Sequence, residues 1–179
     1  DWWWCDALYM APPVLARLAK ITGEKAYLDY MNKMWWDATD FLYDPDEHLF
    51  YRDDRFRIKE DGSGRREENG EKVFWSRGNG WVMGGIARVL DYMPDNYPDR
   101  GRYEDLFREM AEKIACLQQE DGSWKSSLLY PENHEHGETS GTGFYCYAIT
   151  WGINEGLLDK ERYFPVVLRA WDFLNQAVQ

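Results

Sequence analysis

The chain has 179 residues, enough for one domain, and its composition of 44% hydrophobic and 30% charged residues is typical of globular proteins. A formal net charge of −11 argues against nucleic-acid binding, because contacts with phosphates need clustered Lys and Arg side chains. No apolar run approaches the ~20 residues of a membrane-spanning helix. We therefore expect neither nucleic acid nor a membrane as a partner.

Six helical segments of two alternating kinds follow one another along the chain. Three are apolar nearly all round, which predicts burial on both sides, and they cover 7–19, 81–90 and 144–153. The other three carry one apolar stripe opposite a charged face. Their stripes are Leu28, Met31, Trp35, Ala38 and Leu42; Phe107, Met110, Ala111, Ile114 and Leu117; and Phe164, Val167, Leu168, Trp171, Leu174 and Val178.

This alternation predicts an all-α fold in which the buried helices form an inner ring and the striped helices wrap around them. Three helical hairpins cannot close a ring, whereas six can. We therefore interpret residues 1–179 as a partial (α/α)6 barrel domain, about half of it, with the N-terminal part of the barrel missing. Open inner-helix faces would promote self-association. The alternative is an open solenoid of three hairpins, since a solenoid needs at least about three repeats to be stable.

The segment 44–75 interrupts the helical pattern. Residues 48–52 and 72–75 have the pattern of two β-strands that flank a Gly-rich, charged turn over 61–70. We expect them to pair as a β-hairpin inserted between the first two helical hairpins. A second loop, 119–124, has the Asp-Gly chemistry of a tight turn.

Aromatic residues are unusually frequent, with ten Trp and twelve Tyr. Such side chains suit surfaces that stack on flat ligands such as sugar rings, since each offers an apolar face and a polar edge. The alternative is a helical core rich in Trp.

The cysteines and two of the histidines show no metal-ligand or disulfide spacing, so we predict no metal site. These residues are Cys5, Cys116, Cys146, His134 and His136.

Polar residues mark the starts of the three inner helices, at 5–6, 75–81 and 138–143. Because all inner helices of such a ring point the same way, these starts collect at one end. Helix N-termini favour anionic ligands, and Arg77 can donate two parallel hydrogen bonds to a carboxylate. Asp6 lies among Trp residues. Apolar surroundings favour the protonated form of a carboxyl group, which is the form that can donate a proton. We therefore expect a pocket there with one acid, one Arg and several Trp.

Each of these residues also has a purely structural interpretation. Asp6 could be an ordinary N-cap, and so could Ser140 and Thr142. Arg77 could pair with a structural carboxylate, and the glycines within 78–80 could serve helix packing alone. The convergence of three helix starts is stronger evidence for a site than any one residue.

Three motifs resemble a known family. They are Trp-Cys-Asp-Ala-Leu-Tyr-Met-Ala-Pro-Pro at 4–13, Trp-Ser-Arg-Gly-Asn-Gly-Trp at 75–81 and Glu-Thr-Ser-Gly-Thr-Gly-Phe at 138–144. In this order they resemble the unsaturated rhamnogalacturonyl hydrolases of glycoside hydrolase family 105, which are related to the unsaturated glucuronyl hydrolases of family 88. The resemblance covers essentially the whole chain and implies an (α/α)6 barrel.

The resemblance also implies a reaction. Family members act on the unsaturated uronic acid residue at the non-reducing end of oligosaccharides made by polysaccharide lyases. An Asp protonates C4 of the C4=C5 double bond, water adds at C5, and the hemiketal opens and releases the sugar. No metal or organic cofactor is implied. The carboxylate-spacing rule for ordinary glycosidases does not apply to this hydration.

By this resemblance Asp6 is the acid/base residue. Arg77 and Trp81 match positions that contact the unsaturated sugar, and Trp75 lines the same wall. Thr142, in the third motif, is a further candidate for substrate binding.

Two departures from the family pattern bear on activity and substrate. Arg52 stands where many members have a His, so this cation could contact a different neighbouring sugar or a sulfate, or it could be a surface hairpin residue. A second site Asp of the family lies in the half that precedes this chain.

Two other hypotheses compete with this function. The first is a non-catalytic carbohydrate-binding toroid or an inactive fragment. The second is a different (α/α)6 enzyme, against which the motif at 75–81 argues.

Overall fold

The structure, a computed structural model, describes residues 2–178, and helices dominate it. The helices are α1 (Ala7–Met10), α2 (Pro12–Thr22), α3 (Lys25–Leu42), α4 (Ser76–Leu90), α5 (Arg100–Cys116), α6 (Thr139–Asn154) and α7 (Lys160–Ala177). Two short strands, β1 (Tyr43–Asp44) and β2 (Leu49–Phe50), and a 3-10 turn (Pro131–Asn133) complete the regular elements. Across residues 2–178, no helix is both long and apolar enough to cross a membrane.

The helices pair into three hairpins that stand side by side. In each hairpin an inner helix packs on the striped helix that follows it: α2 on α3, α4 on α5, and α6 on α7. The inner helix α4 lies between the other inner helices, since it contacts both α2 and α6. This arrangement confirms the predicted alternation of buried and wrapping helices.

The first inner helix is broken into α1 and α2 at Ala11, rather than continuous over 7–19. Pro12 and Pro13 follow the break and occupy the first turn of α2. Proline has no N–H to donate to the preceding turn, so it is tolerated at a helix start but interrupts a helix interior. The residues directly after Asp6 therefore form a short helix, α1, that is separate from α2.

Glycine follows two of the inner helices where the chain turns. Gly23 follows α2 with φ of 75°, and Gly156 follows α6 with φ of 72°. Both angles lie in the left-handed region that favours glycine, which lets the chain reverse into the outer helix of the same hairpin.

The outer helices are not equally covered. The predicted stripes of α3 and α5 are buried, apart from the half-buried Leu117. Helix α7 instead packs through the face that includes Tyr163, Val166 and Ala170, while Leu168 and Trp171 remain 47% and 56% exposed. The prediction of a buried stripe over 164–178 is therefore wrong for most of its residues. Helix α7 lies at the end of the row, where it packs mainly on α6 and reaches α5 through an ion pair between Arg162 and Glu112 at 2.7 Å.

The opposite end of the row is open as well. On α2, Val14 and Leu18 are 55% and 36% exposed, although the sequence predicts that 7–19 is buried all round. The middle helix α4 has neighbours on both sides, and its residues 82–87 are all buried. Burial therefore follows position in the row more closely than apolar character.

The predicted pairing of 48–52 with 72–75 is wrong. Strand β2 pairs with the nearer β1, with Tyr43 opposite Phe50 and Asp44 opposite Leu49. Asp44 closes the turn between them, because its carboxylate accepts hydrogen bonds from the main-chain N–H groups of Asp46 and Glu47, both at 3.1 Å. A partner a few residues away costs less loop-closure entropy than one more than twenty residues away.

The second predicted strand, 72–75, runs beside the later loop 126–128. Ser76 N donates to Ser126 O at 2.9 Å, and Leu128 N donates to Phe74 O at 3.0 Å. This contact fixes the approach to α4. It also places the loop that precedes α6 next to the start of α4.

Candidate active site

The starts of the three inner helices meet, as the sequence predicts. A Cβ added at Gly78, in the first turn of α4, would lie 2.9 Å from the Cys5 sulfur, so the segment before α1 touches α4 there. The starts of α4 and α6 are joined by a hydrogen bond from Arg77 N to Glu138 Oε2 at 3.0 Å. The packing role suggested for Gly78 is thus present in the structure.

Asp6 precedes α1 at the N-cap position, but its side chain makes no capping hydrogen bond. Its Oδ1 atom instead accepts a hydrogen bond from the Cys5 thiol at 3.4 Å. Cys5 is fully buried, and burial raises the pKa of its thiol well above the ordinary value, so the group remains a neutral donor. The half-buried Asp6 carboxyl is therefore held by its neighbour but not used as a cap.

Arg77 combines a structural ion pair with an open edge. Its Nη1 donates to Glu138 Oε1 at 2.5 Å and to Ser140 Oγ at 3.3 Å. Its Nε and Nη2 make no hydrogen bond to any residue in the described range 2–178. The Arg77 side chain is 40% exposed, whereas Glu138 is 10% exposed. The structural-carboxylate interpretation is therefore correct, yet two parallel donors remain for a planar anion such as a carboxylate.

Two cations lie close to the Trp75 ring. The guanidinium carbon of Arg77 is 4.0 Å from the centroid of the Trp75 ring, and that of Arg52 is 5.2 Å from it. All three side chains line a cavity of about 430 Å³, to which Asn133 and His134 also contribute. The structure thus brings together three of the predicted binding residues.

Arg52 is only weakly paired within this cavity wall. Its nearest carboxylate oxygen, on Asp53, is 3.7 Å from its Nε atom. Both oxygens of Asp53 already accept hydrogen bonds from Arg55, at 2.9 and 2.7 Å. The half-exposed Arg52 guanidinium therefore has most of its donors available to a ligand.

Trp81 belongs to an aromatic cluster built from all three inner helices. Its ring centroid lies 4.7 Å from that of Tyr9 and 4.3 Å from that of Phe144. The glycine before it permits this contact, since a Cβ on Gly80 would lie 2.8 Å from the Phe144 Cβ. Tyr9 and Phe144 line a second, shallow cavity of about 330 Å³. Tyr9 was missed by the sequence reasoning, although its position three residues after Asp6 places both on one helix face.

Thr142 does not belong to the binding set. It is fully buried, and its Oγ1 atom accepts a hydrogen bond from Trp124 N at 3.1 Å. The hydroxyl therefore holds the loop before α6 and offers no surface to a ligand. Sequence reasoning could not show this, because residue 142 belongs to the motif whichever way its side chain points.

The histidines do not form a metal centre with their neighbours. Among residues 2–178, no three His, Cys, Asp or Glu side chains are placed to hold a metal ion. His134 lines the larger cavity, while His136 lies exposed 3.9 Å from a Glu135 oxygen. Glu138 is turned toward Arg77 instead.

Known proteins resemble this chain in sequence and in structure. The sequence profile described as Glycosyl Hydrolase Family 88 matches residues 1–179. A Formosa agariphila protein named unsaturated 3S-rhamnoglycuronyl hydrolase is 53% identical over 173 residues, which are 97% of this chain and 46% of that protein. An Alteromonas protein of the same name is 40% identical over 99% of this chain and 41% of its own length.

A solved structure described as a glycosyl hydrolase family 88 protein from Bacteroides vulgatus is 38% identical. It superposes with a TM-score of 0.92, covering 97% of this chain and 49% of that one. The chain therefore spans about half the length of the relatives it matches. The full-length match of the profile and the 53% identity show that the chain belongs to glycosyl hydrolase family 88, which is related to family 105, the family that its motifs resemble.

Proposed function

We propose that the complete protein is a hydrolase that removes an unsaturated uronic acid residue from the non-reducing end of lyase-generated oligosaccharides. Family membership and the names of the two relatives support this reaction class. The observation that carries the proposal is the open Nε–Nη2 edge of Arg77, held over Trp75 beside the segment that bears Asp6. An unsaturated uronate has a planar carboxylate for that edge.

The roles follow from the chemistry of each group. Arg77 binds the uronate carboxylate through two parallel hydrogen bonds. Trp81 offers an aromatic face to the flattened sugar ring. Protonated Asp6 gives its proton to C4 of the double bond, and water then adds its hydroxyl at C5 and returns a proton to Asp6. The resulting hemiketal opens, and the neighbouring sugar is released.

The reaction consumes a conjugated double bond, so ultraviolet absorbance follows it directly. We expect the complete protein to abolish this absorbance with an unsaturated uronate disaccharide. Asp6→Asn keeps the side-chain size but cannot donate the proton, so kcat should fall by about 10²–10⁴-fold with little change in KM. The matched control is Asp37→Asn on the outer helix α3, which should leave kcat unchanged. A fully active Asp6→Asn protein would remove Asp6 from this role.

We further propose that the sugar next to the uronate carries an anionic substituent such as a sulfate, and that Arg52 contacts it. The weak pairing of Arg52 and the cavity beside it support this assignment. The two relatives that share the name unsaturated 3S-rhamnoglycuronyl hydrolase agree with a rhamnose-linked substrate.

A pair of unsaturated disaccharides, one sulfated and one desulfated, tests this substrate assignment. Arg52→Gln should raise KM for the sulfated compound by about tenfold, because a charge-assisted hydrogen bond is lost. The KM for the desulfated compound should not change. Equal effects on both compounds would contradict an anion-binding role for Arg52.

A further inference from the structure

Glu138 connects the starts of two inner helices through a nearly buried carboxylate. Its Oε2 atom accepts the main-chain N–H of Arg77 at 3.0 Å, and its Oε1 atom accepts Nη1 of the same residue at 2.5 Å. The hydroxyl of Ser140 also donates to Oε1, at 3.1 Å. The main chain of Glu138 is anchored in turn, since its N–H donates to Trp124 O at 2.7 Å.

These contacts restrain Arg77 more tightly than an ordinary surface ion pair would. A long Arg side chain normally samples many rotamers, and ordering it costs conformational entropy. Here the Glu138 carboxylate accepts hydrogen bonds from both the main chain and the guanidinium of Arg77. The Trp75 ring, 4.0 Å away, packs against the face of the same guanidinium. The orientation of the remaining Nε–Nη2 edge is thereby set before any ligand arrives.

We infer that Glu138 is a positioning residue, which holds the guanidinium of Arg77 so that its free edge is ready for the uronate carboxylate. This inference rests on the proposed function, in which Arg77 binds that carboxylate. A preorganised donor pair binds more tightly than a mobile one, because the entropy of ordering is not lost on binding. Glu138 was absent from the residues singled out by sequence for binding.

A second effect of Glu138 opposes the first. Its negative charge offsets the positive charge of Arg77 and so weakens the long-range attraction for an anion. If charge alone mattered, removal of the carboxylate would improve binding. If orientation dominates, removal of the side chain weakens binding while an uncharged oxygen acceptor preserves part of it. The two effects therefore predict opposite changes in KM.

Two substitutions in the complete protein separate these effects. Glu138→Ala removes charge and acceptor, and we expect KM for the unsaturated disaccharide to rise about tenfold. Glu138→Gln keeps one oxygen acceptor, and KM should stay within about threefold of the wild type. Glu132→Gln, in the exposed 3-10 turn of the same loop, is the matched control and should change neither KM nor the melting temperature.

An Arg77→Ala background distinguishes positioning from a general structural role. There, Glu138→Ala should cause no further rise in KM, because the side chain that it positions is gone. A further tenfold rise in that background would overturn the inference, as would equal or lower KM values for both Glu138 variants.

Calorimetry with glucuronate keeps the test independent of the hydration reaction. If the complete protein leaves the double bond intact, the proposed function fails, and binding of this saturated uronate still reports on Arg77. Weaker glucuronate binding by Glu138→Ala than by the wild type supports positioning. Equal binding, or none by the wild type, overturns it.

Discussion

Gly78 is the residue at which the segment carrying Asp6 meets α4. A side chain there would lie 2.9 Å from the Cys5 sulfur and 3.1 Å from the Trp75 ring. Cys5 donates to Asp6, and Trp75 supports Arg77, so both halves of the candidate site depend on this one contact. The absence of a side chain at residue 78 is thus a requirement of the site as well as of the packing.

Gly78→Ala should therefore lower both stability and activity. Overpacking at such a contact costs about 1–3 kcal/mol, measured as the free energy of unfolding in denaturant. The matched control is Gly101→Ala in α5, where an added Cβ meets nothing within 4 Å. There the free energy of unfolding should rise by about 0.4–1 kcal/mol, since alanine restricts the unfolded chain. Equal effects of the two substitutions would mean that the contact at Gly78 is unimportant.

The sequence predicts Arg77 as an anion ligand but does not show what surrounds it. The residue type and its place at a helix start suggest an anion ligand, and those features are local. Its partner Glu138 lies 61 residues further along, and only the packing of α4 beside α6 brings the two together. The direction of the Thr142 hydroxyl was equally hidden, because one helical turn contains both buried and exposed positions.

At the scale of elements, the β1–β2 hairpin is held by one nearly buried carboxylate. Asp44 accepts hydrogen bonds from Lys72 at 2.7 Å and from the Tyr51 hydroxyl at 2.6 Å. Burial alone would raise the pKa of Asp44, but these bonds and the main-chain N–H of Glu47 outweigh it and hold the pKa below the ordinary value of 3.8. Asp44 therefore links the hairpin to the segment that leads into α4.

The sign of this shift predicts the pH dependence of its contribution. A carboxyl with a lower pKa in the folded state contributes stability that is complete above its unfolded pKa and is lost as pH falls through the folded one. The stability lost in Asp44→Asn should be constant near neutral pH and shrink below about pH 4. Thermal melting of both proteins across this range measures it. A difference that grows toward acid would contradict the assignment.

The wrong strand pairing and the exposed stripe of α7 have a common cause. Alternation along 48–52 and 72–75 shows that each can be a strand, but it does not identify the partner. The apolar stripe of α7 likewise shows which face is apolar, but not whether another element lies against it. The two helices that are less buried than predicted, α2 and α7, lie at the two ends of the row.

At the scale of the whole molecule, the row of three hairpins has two apolar ends. Ile21 of α2 is 80% exposed at one end, and Leu168 and Trp171 of α7 are about half exposed at the other. The groove beside α7 has a volume of about 700 Å³ and is lined by Trp151 of α6, Trp171 and aliphatic side chains of α7. Exposed apolar patches of this kind favour association.

We expect isolated residues 1–179 to self-associate in solution. Light scattering coupled to size exclusion should give a mass above 21.3 kDa that rises with concentration. Replacing Leu168 and Trp171 together with Glu should reduce association, since it puts charge into the patch. The control is Gln176→Glu in the same helix, where the residue is already exposed and polar. A monodisperse monomer that melts cooperatively would contradict this prediction.

A main-chain hydrogen bond joins the segment that carries Asp6 to the loop that carries Arg52. Cys5 N donates to the main-chain oxygen of Arg52 at 2.9 Å, and every amino acid supplies that oxygen. The side chain at residue 52 can therefore change without loss of the bond that ties the acid-bearing segment to the loop. If the proposed function holds, we expect natural variation or laboratory selection at this position to alter which neighbouring sugar is accepted while Asp6 stays where it is.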